Sequence, residues 1–94
     1  MEFEWDARKA ATNLAKHGVS FEEATAAFAD DRRVIAYDVR HSTHDEPRWF
    51  CFGQVAGHVL TVRFAIRDER IRIYGAGYWR EGRRRYGEAH SEGL

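Results

Sequence analysis

Pro47-Arg48-Trp49-Phe50-Cys51-Phe52-Gly53-Gln54-Val55, His58-Val59-Leu60-Thr61-Val62-Arg63-Phe64-Ala65-Ile66-Arg67 and Arg70-Ile71-Arg72-Ile73-Tyr74-Gly75-Ala76 are three strand-like runs. They are separated only by Ala56-Gly57 and Asp68-Glu69. Two-residue gaps of this kind read as tight hairpin turns. On that reading Trp49 faces Phe64, Phe64 faces Ile73, Cys51 faces Val62 and Ile66 faces Ile71. These side chains share one face, which is apolar and forms the core side. The opposite face holds Arg48, Ala65 and Arg72 in one row, and Phe50, Arg63 and Tyr74 in the next. Arg67 and Arg70 meet beside the second turn. A slip of one residue would turn every arginine into the core, so the pattern supports its own register. Pro47 suits a strand start or an edge.

Working outward, Val34–Val39 reads as a further strand and Phe3–Trp5 as a short one. Arg40-His41-Ser42-Thr43-His44-Asp45-Glu46 is the clear polar loop. Asp6 is placed to cap a helix carrying Ala7, Ala10, Ala11 and Leu14, and Gly18 is placed to end it. Ser20 with Glu23 fits a capping box for a second helix. A third helix is expected from about Trp79 to Ala89. The expected class is α+β: a small antiparallel sheet of about four strands, two N-terminal helices and one C-terminal helix, in a single domain over residues 1–94.

At 44% hydrophobic and 14% aromatic residues, the chain can fill one compact core and is not a disordered sequence. No apolar run reaches membrane length and no secretory signal pattern opens the chain. One cysteine, Cys51, rules out an internal disulfide and suits a reducing, cytoplasmic setting. No Cys/His cluster has zinc spacing, so no metal or other cofactor is expected.

The net charge of zero conceals a division. Residues 1–31 hold seven acidic side chains and three basic ones; residues 63–86 hold eight arginines and three acids. Thirteen of the fifteen Lys and Arg residues are arginine. Arginine binds phosphate through a planar fork that lysine lacks. Arginines interleaved with aromatic rings suit RNA, with phosphate on the cations and bases stacked on the rings. A solvated face neutralised by nearby acids is the competing reading. His17, beside Lys16 at a helix end, is a candidate general acid or base. On the residues alone the favoured reading is a helix-ending residue packed on a ring. His41 and His44 read as solvated loop residues, and Cys51 as core. Gly75-Ala76-Gly77 fits a tight strand-to-helix connection, or an anion approach to a helix start.

Phe3-Glu4-Trp5-Asp6, Lys9, Asn13, Lys16-His17-Gly18-Val19-Ser20-Phe21-Glu22-Glu23-Ala24 and Phe28 carry a resemblance. So do Asp45-Glu46-Pro47-Arg48, Gly53, Leu60, Val62, Arg67, Ile71-Arg72-Ile73 and Tyr86. The ordered set resembles the BrnT family, the toxin half of BrnT–BrnA type II toxin–antitoxin pairs. The resemblance implies a fold similar to RelE-like ribonucleases, with helices on one face of the sheet, and metal-independent cleavage of RNA. It also implies a BrnA-like ribbon-helix-helix antitoxin in hetero-oligomeric complex, with operator DNA bound only through that antitoxin. Many members end the last strand with a serine–alanine–arginine segment, where this chain has Gly75, Ala76 and Gly77.

The expected function is an endoribonuclease toxin. His17 is the acid or base, with Lys16, Arg48, Arg67, Arg72 and Arg80 on phosphate. Glu46 is a base or an arginine orienter. Arg63 and Arg70 are added as RNA-binding cations, with Phe50 and Tyr74 as stacking rings. The alternatives are a non-catalytic subunit that binds an antitoxin and aids repression, and an RNA-binding module with no toxin role.

Overall fold

Both expected hairpins form. Ala56 and Gly57 have φ of 52° and 86°, and Asp68 and Glu69 have φ of 52° and 63°. Positive φ at both central residues is the turn geometry that matches strand twist. The computed structural model describes residues 1–91, and the last three residues of the expected 1–94 domain lie outside the described residues.

In chain order the elements are β1 (Glu2–Trp5), α1 (Ala7–His17), α2 (Phe21–Thr25), a 3-10 turn (Ala26–Ala29), β2 (Val34–Tyr37), β3 (Trp49–Val55), β4 (His58–Arg67), β5 (Arg70–Gly77) and α3 (Arg80–Ala89). The caps form largely as expected. Asp6 accepts from the Arg8 and Lys9 amides at 2.8 and 3.1 Å. Gly18 has φ 69° and donates to the Leu14 carbonyl. Ser20 accepts from the Glu23 amide at 2.9 Å. The Glu23 carboxylate, however, receives the Tyr78 hydroxyl at 2.6 Å.

The sheet has five strands in the order β1-β5-β4-β3-β2. It is mixed, which corrects the expected four-stranded antiparallel sheet. β1 lies parallel to β5, with Glu2 opposite Arg70 and Glu4 opposite Arg72. The expected pairings of Trp49 with Phe64, Cys51 with Val62, Phe64 with Ile73 and Ile66 with Ile71 are all present. One row is displaced. Between Phe64↔Ile73 and Arg63↔Gly75 the strand bulges, so Tyr74 has no partner on β4 and Arg63 stands opposite Gly75 instead.

The main core packs Val19, Phe21, Ala24 and Ala27 against Cys51, Leu60, Val62, Phe64, Ile73 and Ala76. α3 lies on the other face, over Phe52 and Val59 through Tyr86. This corrects the expectation of helices on one face only. Gly82 makes the close approach possible, because a Cβ there would fall on the Thr61 hydroxyl. α3 therefore covers one end of the arginine face and leaves the other end open.

Candidate functional site

Two devices place α1 beside the open end of that face. β1 pairs with β5 only from Arg70 to Ile73. Beyond Ile73 the edge of β5 has no strand neighbour, and the Asn13 side chain takes that role. Its amide nitrogen donates to the Ala76 and Val19 carbonyls at 2.9 and 3.0 Å, and its oxygen accepts the Ala76 amide at 3.1 Å. Asn13 is buried. Residues spaced by three or four along a helix share a side. The clamp therefore turns Lys9 and Lys16 to the same side as Asn13.

The result is a groove of about 270 Å³ between α1 and the β4–β5 pair. Lys9, Lys16, His17, Arg63, Tyr74 and Trp79 line it, with Arg8, Thr12, Asn13 and Gly75. The lining contains no carboxylate. Arg63 stands out within it. Its Nε is buried without a hydrogen-bond partner, and no carboxylate among the described residues pairs with it.

The other arginines of the face are matched to acids. Arg72 donates to Glu4 at 3.0 Å, and Arg70 lies 3.3 Å from Glu2 and 3.7 Å from Glu4. The acidic N-terminus and the basic β5 thus neutralise each other, which corrects the reading of two opposed halves. Glu46 collects a second set. It accepts from Arg67 at 2.5 Å, from the Tyr74 hydroxyl at 2.7 Å and from Arg48 at 3.2 Å. The Arg48 guanidinium also lies 3.8 Å over the Tyr74 ring, and Lys9 Nζ lies 5.0 Å from the same ring. Tyr74 therefore joins the groove to the Glu46 cluster. The bulge leaves it free to do so.

Electrostatics follow from this arrangement. The Arg67 guanidinium, then the Tyr74 hydroxyl, hold the Glu46 carboxyl down from its ordinary 4.5 to about 2. Burial, then the Glu46 contact, raises the Tyr74 phenol. A carboxyl held so low stabilises the fold fully above its ordinary titration range, and that contribution fades as pH falls toward about 2. Thermal melts of Glu46→Gln should lie below wild type at pH 6, and the gap should close on acidification. A gap that is constant with pH would show that the charge of Glu46 is not what holds the cluster.

His17 and Trp79 form the far wall of the groove. The two rings meet edge to face at 5.2 Å between centroids. Trp79 in turn sits on Gly77, where a Cβ would fall inside the indole. The space beside Gly77 is thus filled by Trp79, which packs against His17.

Lys16, His17, Arg63 and Tyr74 come together in the groove, and Glu46, Arg48 and Arg67 adjoin it through Tyr74. Arg70 and Arg72 are held by β1. Phe50 stacks on Phe52 at 5.5 Å between centroids, with Arg85 5.7 Å from its ring, under the edge of α3. Arg80 is exposed at the start of α3 and does not line the groove. Reading the sequence assigned no role to Asn13, Lys9, Arg8, Thr12 or Trp79. The spacing Lys9, Asn13, Lys16 was the available signal. His41 is held by the buried Asp38 at 2.9 Å, and Cys51 is buried with its thiol pushed up to about 12 by desolvation. Among the described residues no cluster of three His, Cys, Asp or Glu side chains is placed to hold a metal ion, and no helix is long and apolar enough to cross a membrane.

A carboxylate-free cationic groove walled by a histidine carries a positive potential that attracts anions. No curated protein matches the chain. The family described as the ribonuclease toxin BrnT of type II toxin–antitoxin systems matches residues 5–82, which include Lys9, Lys16, His17, Arg63, Tyr74 and Trp79. The residues that build the groove lie within that match, and the chain belongs to the BrnT family of ribonuclease toxins.

Proposed function

We propose that this chain, as one domain over residues 1–94, cleaves RNA without a metal ion, by attack of a ribose 2′-hydroxyl on the adjacent phosphate. The observation that carries this is the Arg63 guanidinium, unmatched by any carboxylate among the described residues, in a groove that also holds Lys16 and His17. Arg63 and Lys16 hold the scissile phosphate and offset the charge that builds on its oxygens. The P–O2′ bond forms as the P–O5′ bond breaks, leaving a 2′,3′-cyclic phosphate; His17 either takes the 2′-hydroxyl proton or gives one to the departing 5′-oxygen, with its ring steadied by Trp79. Arg48 and Arg67 extend the cationic surface past Tyr74 and receive a neighbouring phosphate. Tyr74 offers a ring edge to a base. Glu46 acts as the orienter of these arginines, because a carboxyl held near 2 is a poor proton acceptor at neutral pH. A RelE-like arrangement of the sheet and a BrnA-like antitoxin complete the reading, with operator DNA reached through the antitoxin.

Cleavage of a single-stranded RNA in excess EDTA tests it. Wild type should cut, and His17→Ala should cut about 100-fold more slowly or worse, the usual size of a lost proton-transfer group. Arg72→Ala should stay within a few-fold of wild type, because Glu4 already holds that arginine. Undiminished cleavage by His17→Ala would remove His17 from the mechanism, and loss of cleavage in EDTA alone would remove the metal-free route. The alternative, a non-catalytic subunit that binds an antitoxin, draws on Gly77 standing where many members carry arginine. It predicts no cleavage and no growth arrest on induction of the wild-type chain.

A further inference from the structure

The face of the sheet opposite the groove is incompletely covered. α2 and the 3-10 turn shield its Cys51–Gly53 end, where Ala27 lies against Gly53. At the other end Ile35, Tyr37 and Ile66 are 47%, 47% and 57% exposed. Ile35 and Tyr37 stand opposite Cys51 and Trp49, so they belong to the core side of the sheet. Phe28, Ile35, Phe64, Ile66 and Ile71 line an apolar groove of about 210 Å³ there, with Arg33 at its margin.

β2 is also an edge strand, with β3 on one side and no neighbour on the other. Edge strands normally carry charges or irregularities that discourage pairing. β2 is Val34-Ile35-Ala36-Tyr37, with no charge within it, and Val39 just beyond it is 77% exposed. Its charges stand at the ends. Arg32, Arg33 and Arg40 are exposed, and none of them pairs with a carboxylate among the described residues. Asp31 is the exposed acid beside them. Asp30 is engaged by the Gln54 amide and Tyr86, and Asp38 by His41.

We infer that this edge and groove are where the antitoxin docks, through an extended segment that adds a strand beside β2. Alternate apolar side chains of that segment enter the Ile35–Ile66 groove, and acidic residues meet Arg32, Arg33 and Arg40. Backbone pairing along the edge supplies affinity, and the cations set the register. A second copy of this chain is disfavoured, because antiparallel pairing of two β2 strands brings arginine-rich ends together. The docking face is the reverse of the catalytic face, so the antitoxin is anchored without needing the groove residues. The inference rests on the family's need for an antitoxin and not on the roles given to His17 or Arg63.

The test is a binding titration of the purified antitoxin against the full chain, with RNA cleavage measured in parallel. Ile35→Asp and Ile66→Asp should each weaken binding by about tenfold or more, the scale of a central interface residue. Their cleavage of RNA should be unchanged, and His17→Ala should bind antitoxin as wild type does. If an isoleucine variant fails to fold, Arg33→Glu combined with Arg40→Glu replaces it, since both side chains are in solvent. Wild-type affinity in the folded variants overturns the inference. So does a dimer of the chain alone that Ile66→Asp dissolves. Loss of antitoxin binding in His17→Ala would move the docking site to the groove.

Discussion

Arg63→Ala should lower RNA cleavage by about 100- to 1,000-fold, the size of a lost donor to transition-state charge, while leaving the fold intact. The reason is the accounting of charge across the sheet. Arg70 and Arg72 face Glu2 and Glu4, and Arg48 and Arg67 share Glu46. A guanidinium already paired with a carboxylate has less to offer a phosphate. Arg63 is the member of the face without such a partner among the described residues, and it stands where the groove is deepest in cations. Its removal leaves no buried acid behind. It also relieves repulsion from Lys9, Lys16 and Arg8, so the melting temperature should hold or rise slightly. Arg63→Lys should recover only part of the rate, because a point charge cannot replace the planar fork. Single-turnover cleavage and thermal melts of the two variants are the measurements. A wild-type rate in Arg63→Ala would end the assignment of the phosphate to this groove.

Asn13→Leu should have the largest effect on stability. The side chain satisfies the Ala76 amide, the Ala76 carbonyl and the Val19 carbonyl, all out of contact with bulk water. Leucine leaves three buried backbone groups unpaired. Each such group costs roughly 1–3 kcal/mol, against a total of about 5–15 kcal/mol for a domain of this kind. Even the lower bound, about 3 kcal/mol, corresponds to a fall of more than about 10 °C in melting temperature at this size. Activity should fall with it at temperatures where the variant is still folded, because α1 carries Lys9, Lys16 and His17, which the same clamp positions. A melting temperature for Asn13→Leu within a few degrees of wild type would show that α1 is held by its apolar contacts alone.

These two residues also mark where reading along the chain stops working. The register of β3, β4 and β5 was legible because side chains alternate strictly and the two turns are short, so pairing followed from counting. The caps at Asp6, Gly18 and Ser20 were legible for a similar reason: each acts within three or four residues. The displaced row at Tyr74 was not, because a bulge depends on how the sheet coils against its helices and leaves no local mark. Nor was the partner of β1. Glu2 and Glu4 lie nearly seventy positions from Arg70 and Arg72, and a parallel pairing at that separation has no turn to announce it. The neutralisation of most of the arginine face was hidden by the same distance.

The sequence by itself determined the family, the hairpin register, the capped helices and the clustering of arginine on one sheet face, all of which rest on local spacing or on ordered motifs. Only the tertiary structure decided which of those arginines remain available to a substrate, that α3 covers one end of their face, and that Asn13 brings Lys16 and His17 up beside Arg63. Those outcomes depend on contacts between residues far apart in the chain, where the energy lies in pairing buried or charged groups with whatever the fold places next to them.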